Sequence, residues 1–129
     1  MTTANSVNWF EIYVQDMARG RAFYEAVLGT RLEPLELPEG AGDGLEMWSF
    51  PGEMARYGAN GALCAMPGVA SGAGGTLVYF ACEDCGAAAA RVPAAGGRIH
   101  RDRMSIGPYG YIALVFDPDG NLVGLHSMA

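Results

Sequence analysis

A single glutamate stands in an otherwise apolar segment near the start of the chain. Glu11 is the only charged residue of residues 7–14, VNWFEIYV, whose β-branched and aromatic residues are typical of a strand. A carboxylate positioned by such a strand could act as a general base or accept hydrogen bonds from a ligand. The alternative is a structural glutamate, paired with an arginine or with a backbone N–H group.

Other chemically capable groups are spread along the chain. His126 could transfer a proton if its neutral imidazole lay near Glu11, or it could be a satisfied or exposed histidine. Cys82 and Cys85 form a C-x-x-C pattern, but the two acidic residues between them oppose thiolate formation, and no second pair completes a zinc site. Five aromatic residues could line a binding site, or could belong to the core or to a dimer interface: Tyr13, Trp48, Tyr79, Tyr109 and Tyr111.

Composition excludes several classes of partner. The 129 residues have a mass of 13.6 kDa and a net charge of -6, and the eight basic residues, all arginines, are not clustered. This argues against a surface for nucleic acid or for anionic membranes. No apolar run approaches the ~20 residues of a membrane span. Three cysteines and a polar N-terminus, MTTANSVNW, predict a protein of the reducing cytoplasm.

The two halves of the chain repeat one order of elements. Asp16 and Asp84 each follow a strand-like run and open a helix-like stretch, and Gly29 and Gly97, which close those stretches, are the same 68 residues apart. We therefore predict one α+β domain over residues 1–129, with a βαβββ module at 7–66, a flexible linker at 67–75 and a second module at 76–128. The predicted helices cover 16–28 and 85–95, and the predicted strands cover 7–14, 30–37, 44–50, 61–66, 76–82, 98–101, 111–116 and 121–127. Pro93 favours an earlier end of the second helix, near Val92.

The doubled module and two segments resemble a known superfamily. FEIYVQDMARGRAFYEAVLG at 10–29 and VFDPDGNLVGLHS at 115–127 are similar to the opening and closing segments of the vicinal oxygen chelate superfamily. That group includes glyoxalase I, bleomycin and fosfomycin resistance proteins and extradiol dioxygenases, and this chain is most similar to its small glyoxalase-like members. The resemblance implies two curved mixed sheets around a cup, commonly completed in a homodimer. We interpret D-P-D-G-N at 117–121 only as a turn between strands.

The same resemblance locates the metal ligands that some members carry on the first and last strands of each half. Here those positions are Trp9, Leu77, Gly124 and one of Ala62, Leu63 and Cys64. Only Cys64 could bind a divalent ion, and one soft ligand is too few, so we predict a cup without metal or cofactor. A relocated site that uses Glu11, His126, Cys64 and one more group remains the alternative.

Two functions follow from these residues. The first is a protein that binds or sequesters a small molecule in a metal-free cup. The second is a lyase or isomerase similar to lactoylglutathione lyase, which uses either a relocated metal or acid–base catalysis through Glu11 and His126. The residues expected to contact the ligand are Trp9, Tyr13, Trp48, Cys64, Leu77, Tyr79, Tyr111 and Gly124.

Overall fold

Each half of the chain folds into one four-stranded sheet. The computed structural model describes residues 9–36, 44–53, 58–72, 74 and 76–129. The first half contains β1 (Trp9–Tyr13), α1 (Met17–Leu28), β2 (Glu33–Pro34), β3 (Glu46–Ser49) and β4 (Asn60–Ala65). The second contains β5 (Val78–Ala81), α2 (Cys85–Ala90), β6 (Arg98–Ser105), a 3-10 turn (Gly107–Tyr109), β7 (Tyr111–Phe116) and β8 (Leu122–Ser127). The predicted α+β architecture of two βαβββ modules is confirmed.

Local signals fix the ends of α1. The Asp16 carboxylate accepts a hydrogen bond from the backbone N–H of Arg19 and so caps the first turn. Gly29 ends the helix in the left-handed region, at φ 65° and ψ 41°, which glycine adopts without steric cost. Both caps agree with the sequence prediction.

The second helix is shorter than the predicted range 85–95 and ends close to Val92, where Pro93 favours an end. Asp84 caps α2 through the backbone N–H groups of Gly86 and Ala87, as expected, but the helix ends at Ala90 rather than near residue 95. Pro93 lacks the backbone N–H that a continuing helix would need, and residues 91–96 form turns instead. Strand lengths differ as well, because β2 keeps only two residues of the predicted 30–37, whereas β6 runs to Ser105. Residue 37 lies outside the described residues.

The first and last strands of each half are neighbours. Sheet A has the order β1-β4-β3-β2 and sheet B the order β5-β8-β7-β6, with β1–β4 and β5–β8 parallel and the other pairs antiparallel. Because side chains alternate along a strand, each sheet has a helix face and an open face. The open face of sheet A carries Trp9, Glu11, Tyr13, Met47, Ala62 and Cys64, and the open face of sheet B carries Tyr79, Ala81, Ile112, Gly124 and His126.

The helix faces of both sheets share one core. Buried side chains of α1, α2, β1, β4, β7 and β8 belong to a single apolar cluster. At its margin the rings of Phe10, Phe50 and Phe80, which come from both halves, lie 5.1–5.7 Å apart. Burial of this shared surface joins two modules that would each be marginal alone.

The D-P-D-G-N turn does more than connect two strands. Tyr24 Oη, on α1, donates a hydrogen bond of 2.8 Å to Asp117 Oδ2, and Asn121 Nδ2 donates one of 2.9 Å to the Tyr13 carbonyl oxygen. Asp119 accepts the backbone N–H of Gln15 and pairs with Arg19. Burial and the neighbouring Asp117 carboxylate raise the pKa of Tyr24 well above its ordinary value. The segment forms the turn between β7 and β8 as predicted, and in addition it fastens the second half to the first.

The linker is held by the same turn. Gly72 donates its backbone N–H to Asn121 Oδ1, and Ser71 Oγ donates to the Asp119 carbonyl oxygen. Gln15 donates from its side chain to the Val69 carbonyl oxygen. The described part of a segment that composition predicts to be flexible is thus bonded to both halves. None of the helices in the described ranges is long and apolar enough to cross a membrane.

Candidate functional site

The Glu11 carboxylate is held by its neighbours on β1. Because residues 9, 11 and 13 share one face of the strand, Trp9 Nε1 donates to Glu11 Oε2 at 3.1 Å and Tyr13 Oη donates to Glu11 Oε1 at 2.8 Å. Each carboxylate oxygen therefore has an aromatic donor, while the side chain stays exposed. The hydrogen bond to Glu11 raises the pKa of Tyr13 to about 12, so its hydroxyl remains a donor at neutral pH.

The floor beside Glu11 is apolar and comes from β4. Ala62 and Cys64 are fully buried and pack with Met47, and the Trp9 and Tyr13 side chains lie against them. Burial, and then the charge of Glu11, raise the pKa of the Cys64 thiol to about 12. Because the thiolate is the form that binds metals and attacks electrophiles, Cys64 acts here as a small apolar group.

Glu11 opens into a narrow cleft between the halves. The cleft has a volume of about 170 Å³, and Tyr13 lies with Glu11 on one wall. The opposite wall comes from the second half, through Thr76, Val78 and Leu122. A carboxylate with fixed orientation beside an apolar floor can accept hydrogen bonds from a small ligand.

The open face of sheet B carries a second, shallower concavity. Tyr79, Ala81, Ile106, Ile112 and His126 surround a volume of about 420 Å³. The Tyr79 side chain is 47% exposed, and Leu77 beside it is 37% exposed. This surface is apolar apart from one imidazole and one phenol.

The four positions that the resemblance assigns to metal ligands do not fit a metal ion. Trp9 and Leu77 offer no metal donor, and the Cys64 thiol stays protonated. At Gly124 the Tyr79 ring takes the space where a Cβ would project, so a glutamate there would meet the ring. Among the residues that the structure describes, no three His, Cys, Asp or Glu side chains are grouped as ligands would be.

The relocated ligand set is not assembled within one chain. Glu11 and Cys64 lie on the open face of sheet A, whereas His126 lies on sheet B and lines the other concavity. The same separation applies to the predicted acid–base pair of Glu11 and His126. Either arrangement would need a second chain to bring the two faces together.

Two predicted contact residues, Trp48 and Tyr111, lie on the helix faces of the sheets and not on the open faces. Trp48 pairs with Leu63 in register, so its ring lies on the helix face of sheet A, where the Arg21 guanidinium stacks 3.5 Å from the ring centroid. Tyr111 packs against the shared core on the helix face of sheet B, and the Arg103 guanidinium stacks on it at 3.7 Å. Neither ring lies near Glu11. The reason is that side chains alternate between the two faces of a strand, and the register with β4 and with β8 puts both rings on a helix face.

The C-x-x-C pattern does not form a reactive site. Cys85 is buried in the shared core, and burial raises the pKa of the Cys82 thiol. Cys82 Sγ donates to the Phe80 carbonyl oxygen at 3.7 Å, and both cysteines are free thiols. The burial of Cys85 and the raised pKa of Cys82 favour a structural role for this pair.

Comparison with known proteins places these features in a family context. A family model described as "Glyoxalase/Bleomycin resistance protein/Dioxygenase superfamily" matches residues 6–125. A glyoxalase I from Zea mays is 24% identical, with a TM-score of 0.68 over 93% of this chain and 45% of that chain. A glyoxalase/bleomycin resistance protein/dioxygenase family enzyme from Burkholderia phytofirmans PsJN is 17% identical, with a TM-score of 0.66 over 95% and 98%.

A third structure extends the comparison. A glyoxalase-related enzyme from Fulvimarina pelagi is 18% identical, with a TM-score of 0.63 over 95% of this chain and 87% of that chain. The chain spans about half the length of the maize protein and nearly the whole length of the two bacterial ones. A search of curated proteins finds no match. At these identities the structural likeness concerns the fold.

Proposed function

Because the chain belongs to the glyoxalase/bleomycin resistance protein/dioxygenase superfamily, we propose that it binds and sequesters a small, planar molecule at Glu11, without a metal ion at the positions that some members use. One observation carries this proposal. The Glu11 carboxylate, held by Trp9 and Tyr13 above an apolar floor, is a fixed acceptor in a place where the metal ligands of the family are missing. Such a site can recognise a ligand that presents both an apolar face and a hydrogen-bond donor.

A second copy of the chain completes the site in this proposal. The open face of sheet B leaves Tyr79, Leu77 and Met104 exposed, and such apolar surface is usually covered in an assembly. Charge supports the pairing, because residues 7–66 carry nine carboxylates against four arginines, whereas the Arg98 guanidinium lies over the Phe116 ring at the edge of sheet B. We therefore propose a homodimer in which sheet B of one copy covers the open face of sheet A of the other. The three free thiols support a cytoplasmic location.

A second candidate function is supported by the same faces. Glu11 and His126 each lie on an open face, so a dimer of this kind could bring a carboxylate and an imidazole to one ligand. The pair could then catalyse proton transfer in a lyase or isomerase similar to lactoylglutathione lyase. Turnover in a lactoylglutathione lyase assay that Glu11→Gln and His126→Gln both abolish would favour this candidate over sequestration.

The test of binding uses a matched pair of glutamates. Glu46 accepts a hydrogen bond from Trp48 Nε1 at 3.1 Å, the same contact that Trp9 makes with Glu11, but on the helix face. A thermal-shift screen of small planar compounds identifies a ligand, whose Kd is then measured for the wild type, Glu11→Gln and Glu46→Gln. We expect Glu11→Gln to weaken binding by about tenfold, or about 1.4 kcal/mol, and Glu46→Gln to leave it unchanged. Equal affinities for all three proteins would contradict the proposed role of Glu11.

A further inference from the structure

A larger cavity lies in the seam between the halves and is separate from the Glu11 cleft. Its volume is about 670 Å³, within the range of small-molecule sites. Neither Glu11 nor His126 lines it. Its walls come from the ends of β1 and β4, from residues 28 and 30 at the end of α1, from residues 50–53 and 58–59 between β3 and β4, and from β5.

Aromatic rings form the floor of this seam cavity. Phe10, Phe50 and Phe80 line it, and their centroids lie 5.1–5.7 Å apart in tilted and edge-to-face arrangements. Phe50 belongs to the shared core, and Phe10 and Phe80 pack against that core, which fixes the positions of the three rings. A rigid aromatic floor of this kind suits a flat aromatic ligand, because ring edges and faces can pack on it without rearrangement.

One wall is the unpaired edge of β5. Among the strands that the structure describes, β5 pairs with β8 alone, and the Cys82 backbone N–H donates to the His126 carbonyl oxygen at 2.7 Å. In a parallel ladder, successive residues direct their N–H and C=O groups to opposite sides. The backbone groups of Tyr79 and Ala81, which line the cavity, therefore point away from β8 and toward the open edge.

The first half shows what such an edge can bind. The Val14 backbone N–H donates to Cys64, which turns the Tyr13 carbonyl toward the open edge of β1, and there it accepts the Asn121 side-chain amide. Ala81 is the counterpart of Tyr13, because it holds the matching register position in the other half. On the β5 side, Glu53, Gly58 and Ala59 of the loop before β4 border a cavity instead. The edge of β1 thus binds the Asn121 carboxamide, whereas the matching edge of β5 borders a cavity that has room for a carboxamide of a ligand.

We propose that the seam cavity is a second binding site, and that it takes a planar aromatic carboxamide. The ring packs on Phe10, Phe50 and Phe80, and the amide donates to the Ala81 carbonyl as Asn121 donates to Tyr13. The Glu53 carboxylate on the rim and the net charge of -6 disfavour a carboxylate in place of the amide.

Benzamide is the probe for this site, with two analogues that each change one feature. Cyclohexanecarboxamide keeps the amide and removes the planar ring, and benzoate keeps the ring and replaces the amide with an anion. We expect titration by ¹H–¹⁵N NMR to show saturable millimolar binding of benzamide, with shifts at Phe80, Ala81 and Asn60, and much weaker binding of both analogues. Binding of all three compounds with equal affinity, or no saturable binding of benzamide, would overturn the proposal.

Two substitutions of the same type locate the site. Ala59 lies exposed on the cavity wall, whereas Ala22 lies exposed on α1, so Ala59→Trp fills the cavity and Ala22→Trp is its control. We expect Ala59→Trp to weaken benzamide binding by at least about tenfold and Ala22→Trp to leave it unchanged. If Ala59→Trp does not fold, as judged by its melting curve, Thr30→Phe on the same wall replaces it.

A Glu11 variant separates this proposal from the proposed function. Glu11→Gln should leave benzamide binding intact, because Glu11 does not line the seam cavity. Loss of binding in Glu11→Gln together with full binding in Ala59→Trp would place benzamide at the Glu11 cleft and refute the second site. A soaked crystal structure should show the amide nitrogen within hydrogen-bond distance of the Ala81 carbonyl oxygen.

Discussion

Removal of one hydroxyl tests how firmly the second half is fastened to the first. Tyr24 is 1% exposed and Asp117 is 4% exposed, and the hydrogen bond between them is 2.8 Å long. Buried hydrogen bonds to charged groups contribute about 1.5–3 kcal/mol. In Tyr24→Phe, Asp117 Oδ2 keeps the Asn121 amide as a donor, so we expect the lower part of that range, about 1.5–2 kcal/mol.

Tyr13→Phe is the matched control for this experiment. Its hydroxyl also bonds a carboxylate at 2.8 Å, but the Glu11 acceptor is exposed, so water can replace the phenol and the loss should stay below about 1 kcal/mol. Urea unfolding at one protein concentration, followed by circular dichroism, gives both free energies, and Tyr24→Phe should also lower the Tm by about 5–10 °C. The reasoning is refuted if Tyr24→Phe costs no more than Tyr13→Phe.

Three further outcomes follow from the site. The Tyr13 pKa of about 12 should fall toward 10.0 in Glu11→Gln, as read from ¹³C-tyrosine NMR. Because the pKa of Tyr13 is raised in the folded protein, its hydrogen bond to Glu11 stabilises the fold below pH 10, and this stabilisation is lost as the pH rises toward 12. Gly124→Ala should destabilise the protein by about 1–3 kcal/mol through overlap with Tyr79, and the cost should largely vanish in a Tyr79→Ala background; an unchanged cost there would show that the ring is not the cause. Cys64 should resist alkylation at pH 8 in the native protein and react once unfolded, as mass spectrometry would show, and rapid native labelling would contradict its burial.

Local features of the fold were predictable from the sequence, because their causes lie within a few residues. The caps at Asp16, Gly29 and Asp84 depend on backbone groups two to four residues away, and the structure confirms all three. Glu11 and Tyr13 share a face because strand alternation requires it. The early end of α2 follows from Pro93, which the sequence already marks as a break.

Features that depend on distant partners were not predictable. The face that Trp48 occupies depends on the register of β3 with β4, and no local signal in the sequence sets that register. The role of Asp117 depends on Tyr24, which is 93 residues away and belongs to the other half. The seam cavity collects residues from both halves, so it exists only once they are packed together.

The pairing of β1 with β4 has a consequence for the order in which the chain can fold. Glu11 lies beside Ala62 in the sheet although about fifty residues separate them, so the ladder that positions Glu11 can form only after a long loop has closed. The helix α1 and the antiparallel pair β3–β4 need only local contacts and can form earlier. During synthesis, β1 leaves the ribosome before β4. Its apolar residues therefore stay without their partner strand until β4 has also been synthesised. Folding rate and chaperone demand in this chain should therefore depend on the distance along the chain between β1 and β4.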